Sequence, residues 1–175
     1  MTLDEADTLD AVLERQVDWQ THRMRMFGKW VDAPRLSCWI GDPGAAYRYS
    51  GQHFEPHPWP GALVPLRERL QAELGVPFNS VLANLYRDGR DAMGWHSDDE
   101  PELGPEPVIA SVSLGATRRF VLRRRDDHAV KQTFALTSGS LLVMRGTCQR
   151  EWQHALPRTV RPVGRRINLT FRHIL

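Results

Sequence analysis

The chain has 175 residues but only two cysteines, Cys38 and Cys148, and only two lysines, Lys29 and Lys131. Two cysteines without CxxC spacing make neither a zinc knuckle nor a disulfide framework, and the simplest setting is a reducing, cytoplasmic one. No apolar run is long enough to cross a bilayer, so no membrane partner is expected. The first twenty residues carry four aspartates and two glutamates, the wrong chemistry for an export or mitochondrial leader. Internal repeats, low-complexity tracts and linkers are missing as well. With 41% hydrophobic residues, the chain is expected to form one compact domain over 1–175, as a monomer.

What the chain has instead of lysine is arginine, and it is unevenly placed. Residues 1–111 hold 10 basic and 18 acidic side chains, a balance of −8, whereas residues 112–175 hold 13 and 3, a balance of +10. A basic C-terminal third points to a face that attracts a polyanion. Arginine favours bidentate phosphate contacts, although a GC-rich genome gives the same bias. Within this third, Arg118-Arg119-Phe120-Val121-Leu122-Arg123-Arg124-Arg125 reads either as a strand with solvated ends or as a phosphate-contacting rim.

Helices come early and short strands late. Thr2 to Glu5 has the form of a capping box, with Leu3, Ala6, Leu9, Leu13 and Val17 following at helical spacing. A second helix is predicted from about Pro60 to Leu74, with Leu63, Leu66, Leu70 and Leu74 on one face and Gly75 closing it. Strands are predicted around 24–30, 35–40, 46–50, 79–86, 92–97, 108–114, 118–124, 131–137, 140–145, 151–155 and 166–174. This order argues for an α+β protein with a double-sheet jelly-roll core, a double-stranded β-helix, and N-terminal helices packed on one sheet.

The chemistry is concentrated at Trp95-His96-Ser97-Asp98. On an extended strand His96 and Asp98 point to the same face and can grip one ion, and His154 lies 56 residues beyond Asp98. Two imidazoles and a carboxylate on one side of a metal are the facial arrangement of non-haem Fe(II) oxygenases. Near the C-terminus, Ile167, Leu169 and Phe171 alternate with Asn168, Thr170 and Arg172, so Arg166, Asn168 and Arg172 share a face. If that face looks into a barrel, its guanidiniums need anionic partners, and a dicarboxylate suits the bidentate fork. Ser80–Tyr86 alternates likewise and groups Leu82, Asn84 and Tyr86, either as an ordinary buried strand or as donors to the same cavity.

The order N-x-Y, H-x-D-D-E, S-V-S-L-G-A, W-x-H and R-x-N-x-T-F-R resembles the AlkB family of Fe(II)- and 2-oxoglutarate-dependent nucleic-acid dealkylases. The likeness runs from about Phe27 to Leu175 and includes Phe27-Gly28-Lys29-Trp30, Pro34-Arg35, Gly41-Asp42, Tyr47-Arg48-Tyr49-Ser50-Gly51 and Ser111-Val112-Ser113-Leu114-Gly115. The resemblance implies that His96, Asp98 and His154 ligate Fe(II) and that Arg166 pairs with the distal carboxylate of 2-oxoglutarate. It further implies that Asn84, Tyr86 and Asn168 hydrogen-bond the cosubstrate, while Arg172 lies near its metal-side carboxylate. With O2 as oxidant, an N-methyl group would leave as formaldehyde, alongside succinate.

The base must then be extruded, because an N-methyl on the pairing edge is unreachable in a stack. By resemblance, His96 and Tyr49 sandwich the base and Tyr47 closes the pocket. Asp99 or Glu100 contacts the exocyclic amine of a cationic lesion such as 1-methyladenine or 3-methylcytosine, or else belongs to a solvated acidic run. The resemblance implies that Phe27 is the tip of an apolar finger that wedges into the base stack, a role that composition alone would not assign over a core position. The implied partner is alkylated DNA. The alternatives are a dioxygenase acting on RNA, protein or lipid, a non-catalytic binding module on the same fold, and a zinc hydrolase; the last has no use for two inward arginines.

Overall fold

The computed structural model describes residues 1–26, 29–49 and 52–175, with the backbone alone at 24–26, 47–49 and 52–54. Helix α1 (Leu3–Gln16) begins with a complete capping box, in which Glu5 N–H donates to the Thr2 hydroxyl and Thr2 N–H to the Glu5 carboxylate. A 3-10 turn at Gly61–Leu63 leads into α2 (Val64–Leu74), which ends where Gly75 takes a left-handed φ of 67°.

Thirteen strands lie among the described residues, twelve of them at predicted positions: β1 (Arg23–Met26), β2 (Lys29–Asp32), β3 (Leu36–Gly41), β4 (Tyr47–Tyr49), β5 (Gln52–Phe54), β6 (Ser80–Tyr86), β7 (Met93–His96), β8 (Ile109–Gly115), β9 (Arg118–Arg124), β10 (Lys131–Leu136), β11 (Leu141–Met144), β12 (Trp152–Leu156) and β13 (Arg166–Arg172). They form a five-stranded sheet in the order β11-β8-β13-β6-β3, a four-stranded sheet in the order β10-β9-β12-β7, and two small ribbons, β1-β2 and β4-β5. The strand expected at 24–30 is two strands paired with each other. Strand β5 was not foreseen, because three residues are too few to show a period. A one-turn helix α3 (Cys148–Glu151) occupies the start of the expected strand at 151.

Period-two alternation sorts the large sheet into two faces. Val81, Ala83 and Leu85 of β6, Ala110, Val112 and Leu114 of β8 and Ile167, Leu169 and Phe171 of β13 pack with Ala6, Leu13, Leu63 and Leu70 of the helices. Burying a side chain of this size stabilises by roughly 1.5–3 kcal/mol, so this face holds the helices on. The opposite face carries the even residues of β6 and β13, and it meets the small sheet across a second core that includes Trp39, Tyr86, Phe120, Leu122 and Met144.

One element of the expected phosphate rim is structural instead. Arg118 is 2% exposed, and its guanidinium donates to the carbonyls of Asp88, Asp91 and Pro157 at 3.0, 2.9 and 2.9 Å. It ties the β6–β7 connection to the loop after β12. Gly89 permits this closeness, since a Cβ there would stand 2.4 Å from the Thr159 carbonyl oxygen. Arginine at the first position of an inward-facing row was read as a strand end, but the fold closes over it.

Candidate metal and cosubstrate site

The small sheet solves the problem of the distant histidine. Strands β7 and β12 pair antiparallel with His96 directly opposite His154, and the two rings meet edge-on with centroids 4.1 Å apart. Asp98 lies just past the end of β7 rather than on it, in contrast to the extended-strand expectation. Its position is fixed by its own N–H, which donates to Gln149 Oε1 at 2.9 Å, and by Ser97, whose hydroxyl donates to the Trp152 carbonyl at 2.8 Å. One ligand atom each from His96, Asp98 and His154 can lie within 4.8 Å of one another.

The protonation states suit a metal. His96 Nδ1 lies 2.8 Å from the Gly94 carbonyl, which assigns the N–H to Nδ1 and leaves the Nε2 lone pair for the site. Burial, and His96 next to it, push His154 down to about 3, and burial also lowers His96. Burial alone would raise the Asp98 carboxyl. Arg172 first, then His154 and His96, more than offset that and hold it at about 2. Two neutral imidazoles and one carboxylate are therefore presented together. Asp98 Oδ1 accepts from Arg172 at 2.8 Å, while Oδ2 is buried with no hydrogen-bond partner. A buried, unpartnered carboxylate oxygen beside two imidazole lone pairs is a site that a divalent cation fits.

The same recess is lined by Asn84, Tyr86, Ser111, Phe120, Arg166, Asn168, Thr170 and Arg172. Arg166 is 1% exposed. It donates to Ser113 Oγ at 2.8 Å and lies 5.4 Å from the Tyr86 ring centre, but its Nε has no partner. Burial pushes this guanidinium down to about 10. No carboxylate among the described residues pairs with it, which is the arrangement an incoming carboxylate satisfies.

Three expected cosubstrate residues already hold protein partners. Asn168 spends its amide hydrogens on Ser111 Oγ and the Val112 carbonyl, and its oxygen accepts from Thr170. In this structure these bonds brace β13 against β8. Asn84 Oδ1 accepts from Arg35 Nε at 2.7 Å. Arg172 is committed to the metal-type carboxylate itself. Asp99, assigned to the base pocket, pairs with Arg125 at 2.8 Å, and Glu100 is half-buried just beyond it. Phe27 lies outside the described residues, and Tyr47 and Tyr49 are described only as backbone.

Four contributors had no assigned role in the sequence reading. Ser111 and Ser113 alternate on β8 and were open to the same period-two argument as β13. Arg35 precedes β3 and gives no periodic signal. Gln149 sits on a four-residue helix, and only tertiary structure shows that it caps the Asp98 backbone.

Comparison with known proteins places these features. The profile described as the 2OG-Fe(II) oxygenase superfamily matches residues 2–172. The DNA oxidative demethylase ALKBH2 of Homo sapiens is 40% identical over 181 aligned residues, covering 98% of this chain and 69% of that one. The alpha-ketoglutarate-dependent dioxygenase alkB homolog 3 of Bos taurus is 39% identical, covering 98% and 63%. Among solved structures, OsALKBH1 aligns with a TM-score of 0.64 at 17% identity, covering 98% of this chain and 90% of that one. A Pseudomonas putida prolyl-4-hydroxylase aligns at 0.61 and 18%, covering 99% and 88%. These two likenesses carry the jelly-roll fold alone. The profile match and the relatives agree along nearly the whole chain, and on that ground it belongs to the 2OG-Fe(II) oxygenase superfamily, with AlkB-like relatives.

Proposed function

We propose that this chain removes N-linked alkyl groups from DNA bases of the 1-methyladenine and 3-methylcytosine type by oxidation dependent on Fe(II), 2-oxoglutarate and O2. The carrying observation is the buried Arg166 guanidinium, which meets no carboxylate among the described residues and lies in the same recess as His96, Asp98 and His154. A hydrolytic metal site has no need of it, and a binding-only module would bear its desolvation cost for nothing. The relatives named as DNA oxidative demethylases support the choice of substrate.

When bound, iron, O2 and 2-oxoglutarate supply the oxidation, one oxygen atom entering succinate as CO2 is lost and the other the N-alkyl carbon, which leaves as formaldehyde. The protein's part is placement. His96, Asp98 and His154 hold the metal on one side and leave the other open. Arg172 fixes the Asp98 carboxylate so that Oδ2 faces a ligand. Arg166 and Ser113 receive the distal carboxylate, and Tyr86 and Asn84 flank it. In the base pocket, Tyr47, Tyr49 and His96 hold the extruded base. The Asp99–Arg125 pair is about half exposed on both sides, so it is weak, and Asp99 can exchange Arg125 for a cationic base, with Glu100 beside it. Phe27 serves as the wedge, and Phe27→Ala is expected to reduce repair in duplex DNA more than in single strands, measured as formaldehyde released from each.

The deciding experiment is anaerobic titration with Fe(II) and 2-oxoglutarate, followed by a formaldehyde assay on methylated oligonucleotides. His96→Ala, Asp98→Ala and His154→Ala should each abolish turnover in a folded protein. Appreciable formaldehyde release by a folded Asp98→Ala variant would overturn the assignment.

A further inference from the structure

The arginine run of β9 splits by parity, and the outward half is unaccounted for. Arg118, Phe120, Leu122 and Arg124 share one side of the strand, while Arg119, Val121 and Arg123 share the other. Arg119 is exposed, as is Lys131, which stands directly opposite Arg123 in the β9–β10 register. On the next strand Gln153 is paired with Arg123, and its Oε1 accepts from that guanidinium at 2.8 and 3.1 Å. Arg123 also lies 4.2 Å over the Trp95 ring, and Trp95 is 38% exposed. A row of Lys131, Arg123, Gln153 and Trp95 thus crosses all four strands of the small sheet, about 14 Å at the usual strand spacing. It ends one residue from His96.

No carboxylate among the described residues pairs with Arg119, Arg123 or Lys131. Their chain neighbours Arg124 and Arg125, by contrast, each meet one. Like charges directly opposite across an antiparallel pair are also unfavourable, so the Lys131–Arg123 opposition is a cost that an anion would relieve. Cations spaced across a flat sheet with an exposed indole at one end are the two elements of a single-strand platform, one for phosphates and one for an unpaired base.

Resting on the reading of this site as a nucleic-acid dealkylase, we infer that the outer face of the small sheet is a track for a single nucleic-acid strand leading to the active-site mouth. Phosphates lie on Arg119, Arg123 and Lys131, and a base next to the lesion stacks on Trp95. Acidic peptides share the charge but not the base, so they are the control.

The test is binding of an unmodified, fluorescently labelled single-stranded oligonucleotide to the whole chain, without iron or 2-oxoglutarate, across a salt series. Lys131→Gln should weaken binding and lower the log–log salt slope by about 0.7, one phosphate contact on a single strand. Trp95→Ala should weaken it roughly 5- to 150-fold with the slope unchanged, the range for one lost stacked base. Lys131→Glu should raise the melting temperature by pairing with Arg123 while weakening binding most. Unchanged affinity and slope in both Lys131 variants, or equal affinity of wild type for an oligoglutamate peptide, would overturn the track. Binding as expected in a protein that releases no formaldehyde from methylated strands would instead sink the dealkylase reading.

Discussion

Replacing Arg166 by methionine should make the empty protein more stable and unable to hold its cosubstrate. Burial pushes the guanidinium from its ordinary 12.5 down to about 10, which is about 3 kcal/mol against the charged form. The folded value lies below the unfolded one, so this cost is fully present at neutral pH and fades only as pH rises above about 10. Methionine nearly matches the length and removes the charge. It forfeits one hydrogen bond to Ser113, worth about 1 kcal/mol. A net gain of about 2 kcal/mol remains, or roughly 4–8 °C for a domain of this size. Replacing a buried charge by an apolar side chain often has this sign.

Cosubstrate should reverse the ranking. At a hundred times its Kd, 2-oxoglutarate stabilises wild type by about 2.7 kcal/mol, roughly 5–11 °C, and the Arg166→Met variant by nothing at the same concentration. Melting curves under anaerobic Fe(II), with and without 2-oxoglutarate, read both effects. A variant that melts well below wild type when empty, yet shifts equally with cosubstrate, would show that Arg166 is a strut for β13 and that the dicarboxylate binds elsewhere.

Three further outcomes follow from the same geometry. Because His154 is held down at about 3 while an unfolded histidine titrates near 6.5, it contributes stability above pH 6.5 that is lost as pH falls toward 3. The melting temperature of metal-free protein should therefore fall less steeply below pH 6.5 in His154→Gln than in wild type. Gln149→Ala frees the Asp98 backbone, and Fe(II) affinity should drop about 10- to 100-fold in a metal titration, as for other residues that orient ligands. Arg118→Met leaves three carbonyls without their donor, at about 1 kcal/mol or more each, and should lower the melting temperature by roughly 6–12 °C without altering the salt slope of oligonucleotide binding. A changed slope would return Arg118 to the phosphate rim.

The sequence made the site legible where a strand's period carried it. On β13 the even residues from Arg166 to Arg172 all proved to be inward and the odd ones backed by helices, because register on a two-faced sheet allows no other solution. The same logic on β6 placed Asn84 and Tyr86. It failed where a backbone path mattered more than a period. Asp98 is set by a glutamine 51 residues away, and Arg118 by three carbonyls from two loops. Neither partner has a spacing that a linear pattern can encode. Asn168 lies on the face the period gave it, and its bonds to β8 are a detail that no period encodes.

These two kinds of residue divide the labour of the recess. Arg166 Nε and the second oxygen of Asp98 are buried without hydrogen-bond partners, at a cost the fold must carry. Asn168 bonds to Ser111 and Thr170, and Ser113 accepts one Arg166 hydrogen, which leaves Arg166 Nε and Asp98 Oδ2 for a ligand. Helices packed on the far side of the same strands hold the wall flat with apolar contact alone, and polar groups need appear on one face only. The site keeps its unmet demand for charge because its neighbours have none left to give.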